Sequence, residues 1–219
     1  MPLSMCDPFR FYTERRLVQL LGMRASTLAE LRERLEDVPG ACIFYHTHHL
    51  FLSHHFETPV VYNDFANWVG EALQEDALAE RLAAVDLLKF TTLRELREAI
   101  IKVIDQHMET PGWRSRECPR GDELYFAKSK SFVMPLGMEA EGLPEFFRQV
   151  AHISNVSLYF HFLEARLRLG RPTNDFSLWM EACGRSDLAA AIDRLDPYLS
   201  TLEELRDQIV EVGYRYGIG

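Results

Sequence analysis

The chain has 219 residues, of which 47% are apolar, so it can bury a substantial core as one large domain or two small ones. Its 33 acidic residues outnumber its 24 basic residues, which gives a formal net charge of −9. This acidic balance argues against a protein that binds nucleic acid through phosphates and against a polybasic membrane anchor.

The N-terminal residues show no basic segment followed by an apolar run, so we expect no signal peptide. The longest stretch without Asp, Glu, Lys or Arg, Val38–Phe56, contains Pro39, Gly40 and five histidines, so we expect no membrane span. The four cysteines are scattered and form no C-x-x-C motif, which predicts reduced thiols in a cytoplasmic protein.

The sequence matches itself when it is shifted by about 115 residues. The motif Leu-Gly-Met-x-Ala-x-x-Leu-x-Glu at 21–30 recurs at 136–145, and His46 then falls on His161. With a shift of about 111, the segment that begins Asn63-Asp64-Phe65 falls on the one that begins at Asn174. We therefore predict two tandem homologous repeats, with repeat 1 in residues 1–104, a linker in 105–124 and repeat 2 in 125–219.

Each predicted repeat opens with a short extended segment that ends at a glycine, Phe11–Leu21 in repeat 1 and Phe126–Leu136 in repeat 2. The repeat 2 segment contains Lys-Ser-Lys-Ser-Phe-Val-Met-Pro, which favours a strand over a helix. The capping-box spacing Thr27-x-x-Glu30 then predicts a helix that runs to about Asp37.

The second helix of each repeat carries the candidate functional residues. It is predicted over about Ala41–Phe56 in repeat 1 and over Asn155–Leu169 in repeat 2. The later helices are predicted from their N-cap residues, which are Asn63, Thr92, Asn174 and Thr201.

Five of the eight histidines lie on the second helix of repeat 1, and their spacing suggests a metal site. His46-x-x-His49 corresponds to His161-x-x-Glu164 in repeat 2, and this spacing directs two ligands to the same side of a bundle helix. Across a pseudo-two-fold axis the four side chains would hold one ion, for which zinc, iron or manganese are the candidates. The secondary ligand candidates are His48, Asp64 and Asp175.

The alternative hypothesis gives the histidines a structural role. His46 and His161, the only histidines at matching positions of both repeats, would be buried and hydrogen-bonded to a backbone carbonyl or to the Asn-Asp turn. His54 and His55 would be exposed near a helix end. Haem ligation is a third option, although the chain contains no C-x-x-C-H motif.

The remaining motifs give little indication of a specific binding or catalytic site. Arg166 and Arg168 are candidates to bind an anionic substrate, with a solvated helix face as the alternative. The sequence contains no G-x-G-x-x-G, P-loop, nucleophile elbow or H-E-x-x-H motif, so the common nucleotide and hydrolase chemistries lack support.

Three of these segments together resemble an uncharacterised bacterial family, a domain of unknown function of about this length. They are Y-H-T-H-H (Tyr45–His49), N-D-F-x-x-W (Asn63–Trp68) and F-x-x-x-E-A-R-L-x-L-G-R (Phe160–Arg171). The resemblance covers nearly the whole chain and implies a bacterial cytoplasmic protein of one or two helical repeats. It assigns no catalytic residue.

The sequence as a whole predicts a mainly α protein with a small β component, built from two repeats that share one core about a pseudo-two-fold axis. Two functions stay open: a divalent-metal-binding helical protein centred on the histidine-rich helix, and a non-catalytic interaction or regulatory scaffold with structural histidines. Its partner would be a second copy of the chain or another protein, and any small-molecule ligand stays unidentified.

Overall fold

The computed structural model describes residues 6–53 and 63–218. Its two strands, β1 (Phe9–Ala25) and β2 (Leu124–Ala140), are 17 residues long and pair in a two-stranded antiparallel sheet. Between them lie helices α1 (Leu28–Asp37), α2 (Gly40–His48), α3 (Leu50–Ser53), α4 (Asp64–Glu71), α5 (Asp76–Ala83) and α6 (Leu93–Met108), with a 3₁₀ turn at Leu87–Lys89. After β2 come α7 (Leu143–Val150), α8 (Asn155–Tyr159), a π-helical turn (Phe160–Glu164), α9 (Ala165–Leu169), α10 (Asp175–Ala182), α11 (Ser186–Asp193) and α12 (Leu202–Arg215).

The predicted fold class is wrong. About 54% of the described residues are helical, and the long antiparallel sheet makes the fold mixed α/β rather than a mainly α pair of repeats about a pseudo-two-fold axis. The strands extend well beyond the predicted segments Phe11–Leu21 and Phe126–Leu136, because Gly22 and Gly137 do not end them. Both glycines have a positive φ, +70° and +69°, which glycine adopts without the strain that a Cβ would cause.

The chain forms two compact units, and each unit consists of segments that are separate in sequence. The described part of unit 1 comprises residues 6–15, 51–53 and 132–218, and that of unit 2 comprises residues 16–50 and 63–131. Each strand is therefore divided between the units, and these bounds differ from those of the segments 1–104, 105–124 and 125–219.

Each unit has its own apolar core, to which a strand end contributes aromatic residues. In unit 1, Phe9 and Phe11 of β1 are buried, and the Phe9 ring packs edge-on against Phe146 of α7 at 5.2 Å. In unit 2, Phe126 of β2 is fully buried and contacts the His46 ring at 6.0 Å between centroids. Burial of such aromatic side chains supplies much of the stability of a small core.

The five helix starts predicted from N-cap residues are confirmed, and a side-chain hydrogen bond forms at each of them. Asn63 accepts the Ala66 N–H at the start of α4, and Asn174 accepts the Ser177 N–H at the start of α10. The Thr N-caps of α1, α6 and α12 each accept the N–H of the glutamate three residues later; they are Thr27, Thr92 and Thr201. Each cap satisfies a backbone donor that the first helical turn leaves open.

The histidine-bearing segments are helical but not regular. Helix α2 ends at His48, and His49 separates it from α3, whereas the predicted helix ran to Phe56. The predicted helix Asn155–Leu169 is confirmed in extent, but its centre is the π-helical turn, an irregularity common at functional sites. His54 and His55, predicted to be exposed, lie outside the described residues. No described helix is both long and apolar enough to cross a membrane.

Candidate functional site

His161 lies in the π-helical turn of unit 1 and has a partner at each ring nitrogen. Its side chain is buried, as predicted, and the residue is only 2% exposed. Nδ1 lies 2.8 Å from Oδ2 of Asp175, the first residue of α10. The backbone N–H of Tyr12 on β1 donates to Nε2 at 2.8 Å. The histidine therefore joins a helix end to a strand.

His46 has the same set of partners in unit 2. Its ring is buried, Nδ1 lies 2.8 Å from Oδ2 of Asp64, and Nε2 accepts the backbone N–H of Ala127 on β2 at 3.0 Å. The Asn-Asp turn at the start of α4 thus supplies both a helix cap and a histidine partner, as the turn at Asn174 does for α10.

The hydrogen bonds determine the protonation of both rings. A backbone N–H can only donate, so Nε2 of each histidine must carry a lone pair and no proton. The proton is then on Nδ1, which donates to the aspartate. Both imidazoles are neutral in this arrangement, and neither keeps a lone pair for another partner.

The other metal-ligand candidates divide between the two units. His49, at the end of α2, stacks on Tyr45 at 5.0 Å, and burial lowers its pKa. His48 is 1% exposed, and burial, with a smaller effect of Arg16, lowers its pKa to about 3. Glu164 ends the π-helical turn and is half-buried.

Across the described residues, no group of three or more His, Cys, Asp or Glu side chains is arranged to hold a metal ion. His46, His49, His48 and Asp64 belong to unit 2, and His161, Glu164 and Asp175 belong to unit 1. The metal hypothesis therefore stays a prediction, and within each unit the structure brings the histidine next to its aspartate.

A cavity of about 890 Å³ in unit 1 opens beside His161. Its wall is rich in aromatic side chains and includes two arginines and two aspartates; the lining residues are Asp7, Pro8, Phe9, Arg10, Tyr12, Val133, Phe160, His161, Arg168, Asp175, Leu178 and Trp179. Its volume is in the range of small-molecule sites. Of the two predicted anion ligands, Arg168 lines this cavity, whereas Arg166 lies on α9 outside the lining.

Two arginines at this cavity each have an acidic partner. Arg168 donates from Nη2 to Oδ2 of Asp175, and its guanidinium lies over the Phe160 ring at 4.7 Å. Arg10 donates from Nε to Oε1 of Glu139 at 3.0 Å. A stacked guanidinium is held in place by its contact with the ring, which favours a defined binding geometry.

The sequence does not predict the backbone groups that hydrogen-bond to the histidine and the tryptophan of each unit. The Trp179 indole N–H donates to the carbonyl of Asp7 at 2.7 Å in unit 1, and Trp68 does the same to Asp122 in unit 2 at 2.7 Å. These partners, like the amides of Tyr12 and Ala127, are main-chain groups far away in sequence. No side-chain motif could have indicated them.

The prediction that all four thiols are reduced is wrong. Cys6 and Cys183 form a disulfide across 177 residues of sequence, within unit 1. Cys42 and Cys118 are free and buried, and burial raises the pKa of both thiols, that of Cys42 to about 12. A pair so distant in sequence leaves no local spacing by which it could be recognised.

These features define a mixed α/β protein with a two-stranded sheet and a ligand-sized cavity beside a buried His–Asp pair. Residues 6–213 match the model of a family of unknown function (DUF5752), and the chain belongs to that family, as the resemblance to an uncharacterised family predicted. A similar solved structure is that of OrfY from Thermoproteus tenax, which is 31% identical, covers 97% of both chains and has a TM-score of 0.82. No curated protein matches the chain.

Proposed function

We propose that this protein is a non-catalytic binding protein with a regulatory or scaffolding role, in which His46 and His161 are structural. The observation that supports this proposal most is the engagement of both ring nitrogens. His161 donates to Asp175 and accepts from the Tyr12 amide, and His46 has the equivalent two partners. A ring that is engaged in this way has no free lone pair for a metal ion or for a substrate proton.

The two hydrogen bonds of each histidine also support a structural role, in which the ring connects a strand to a helix. Tyr12 belongs to β1 and Asp175 to α10, so His161 fixes the strand against the helix at the wall of the cavity. A wall held by buried hydrogen bonds is pre-organised, which lowers the entropy cost of binding a ligand. A binding protein needs such a wall, whereas a metal site needs the ring nitrogens to be available.

The test compares histidine variants by stability and by metal content. His161→Ala leaves the Tyr12 N–H without its partner and removes one of the two donors to Oδ2 of Asp175, and we expect the free energy of unfolding to fall by about 1–3 kcal/mol. His46→Ala should show a similar loss. His152→Ala, at an exposed position, is the control and should change stability by less than about 0.5 kcal/mol.

Elemental analysis of the same samples distinguishes the two functions. We expect far less than one zinc, iron or manganese ion per chain in the wild type, with no change in either variant. A stoichiometric ion that is lost in His46→Ala or His161→Ala would contradict the structural role and favour the metal-binding protein.

A further inference from the structure

We propose that the cavity of unit 1 binds a small planar anion, a flat apolar body that carries a carboxylate or sulfonate. This deepens the proposed function, on which it rests, by naming the class of ligand. The shape and lining of the cavity point to this ligand, as do the unused donors of Arg10 and Arg168.

The lining matches a flat, partly apolar body. Tyr12, Phe160 and Trp179 contribute aromatic surface, and Leu178 and Val133 contribute aliphatic surface. The Tyr12 ring lies 6.3 Å from Phe160 and 6.1 Å from His161, at interplanar angles of 48° and 54°, so neighbouring rings line one side of the cavity. A planar ligand can pack face-on or edge-on against these rings and gain more than its buried area alone would give.

The two arginines at the cavity keep most of their hydrogen-bond donors. A guanidinium has five N–H donors, and within the described residues Arg168 gives one to Asp175 while Arg10 gives one to Glu139. Each contact is a single N–H to a single oxygen, so the paired N–H groups that match an oxyanion are not both used. A carboxylate or sulfonate could take them without displacing either partner.

Arg185 differs from Arg10 and Arg168 because its paired donors are already bound to a carboxylate. It binds both oxygens of Asp187, from Nε at 2.8 Å and from Nη2 at 2.8 Å, so its planar fork is already filled by a carboxylate. It belongs to unit 1 but does not line the cavity. Arg10 and Arg168, unlike Arg185, keep the unused N–H donors that an anion site requires.

The charges of the cavity are compatible with an anion of low charge. The Asp175 carboxylate is balanced by Arg168 and by the Nδ1–H of His161, so it adds little repulsion. Asp7 is exposed, and its carboxylate is screened by solvent. The lining contains two cations and two carboxylates, which disfavours a highly charged ligand and leaves the directional donors of the arginines as the main attraction.

The experiment uses two fluorescent probes of nearly the same shape on the full-length protein. 8-Anilinonaphthalene-1-sulfonate carries the anion, and N-phenyl-1-naphthylamine lacks it. We expect one sulfonate probe to bind per chain, and Arg168→Gln to weaken it by about tenfold or more, since a charge-assisted hydrogen bond is lost. The neutral probe should change by less than about twofold in the same variant.

Two controls test whether the sulfonate probe binds in the cavity of unit 1. Arg185→Gln removes the same charge from the same unit outside the cavity and should leave the affinity for the sulfonate probe unchanged. Trp179→Phe should reduce energy transfer from tryptophan to the bound probe more than Trp68→Phe does, because only Trp179 lines this cavity. If Arg168→Gln fails to fold, Arg10→Gln and the two probes on the wild type decide the question.

Equal binding of both probes, an equal loss in Arg168→Gln and Arg185→Gln, or no binding would each overturn the anion site. None of these readouts depends on metal content or on the histidine variants. A metal-loaded protein that still binds the sulfonate probe through Arg168 would therefore overturn the proposed function and leave this inference standing.

Discussion

A buried histidine that accepts a backbone N–H has a fixed protonation state, because a protonated ring would place two donors against each other. His46 and His161 both meet this condition, and the aspartate at Nδ1 of each ring holds the tautomer that accepts at Nε2. Residue type alone could not distinguish this use of an imidazole from metal ligation, since both need a buried ring with one nitrogen oriented by a carboxylate.

His48 should make the stability of the protein depend on pH. Burial, with a smaller effect of Arg16, lowers its folded-state pKa from 6.5 to about 3, and the ring stacks on Phe44 at 5.2 Å. Between pH 6.5 and about pH 3 the unfolded state binds a proton at His48 that the folded state does not. The free energy of unfolding therefore falls as the pH drops below about 6.5. From pH 8 to pH 5 this histidine should lower the free energy of unfolding by about 2 kcal/mol.

Urea unfolding of His48→Gln at the two pH values checks this prediction. Glutamine does not titrate, so the difference between pH 8 and pH 5 should shrink by about that amount. His152→Gln, at an exposed histidine, should leave the difference as it is in the wild type. An unchanged difference in His48→Gln would show that other groups cause the acid sensitivity.

Helix α12 packs closely against α7 at one glycine, Gly213. A Cβ built on Gly213 of α12 would lie 2.7 Å from Cγ and 2.8 Å from Cδ1 of Phe147 on α7, whose ring is itself buried. Alanine normally stabilises a helix by up to about 1 kcal/mol relative to glycine, but an overpacked core loses about 1–3 kcal/mol. We expect Gly213→Ala to lower the thermal midpoint.

Gly40→Ala is the matched control, since the nearest atom to its Cβ would be the flexible end of Leu93 at 3.4 Å. It should leave the midpoint unchanged or raise it slightly. If Gly213→Ala were as stable as Gly40→Ala, α12 and α7 would not be in close contact at this position.

The Cys6–Cys183 disulfide holds the segment before β1 against the end of α10. It closes a loop with a sequence separation of 177, and loss of a bond over such a loop should cost about 2–5 kcal/mol. We expect dithiothreitol to lower the urea midpoint of the wild type. The double variant Cys6→Ser with Cys183→Ser should start at the low value and not respond to the reductant. A wild type that is equally stable with and without reductant would contradict this.

How much the sequence revealed depends on the distance between interacting residues. The N-caps at Asn63 and Asn174 were predictable because their hydrogen bonds span three residues. The amide of Tyr12, the partner of His161, is 149 residues away, and the pairing of β1 with β2 is equally remote. Local periodicity does not indicate such long-range pairing, which is why the sequence predicts strands that are too short and a mainly α fold.

Because each strand is divided between the two units, each unit needs residues from both halves of the chain in order to fold. Unit 1 needs residues 6–15, which supply Phe9 and Phe11, and unit 2 needs residues up to 131, which supply Phe126. A cut in the segment predicted as a linker, for example after residue 110, therefore removes a buried part of each unit rather than separating two complete domains.

We expect fragments 1–110 and 111–219 to show no cooperative unfolding transition when each is purified alone. Fragment 111–219 loses two buried phenylalanines, which together contribute about 3–6 kcal/mol, and this is comparable with the whole stability of a typical domain. Fragment 1–110 loses Phe126 and the Ala127 amide that binds His46. Mixing the fragments should restore helical circular dichroism and a cooperative transition, because each supplies the strand segment that the other lacks. A fragment that unfolds cooperatively on its own would show that the strand ends are dispensable for its core.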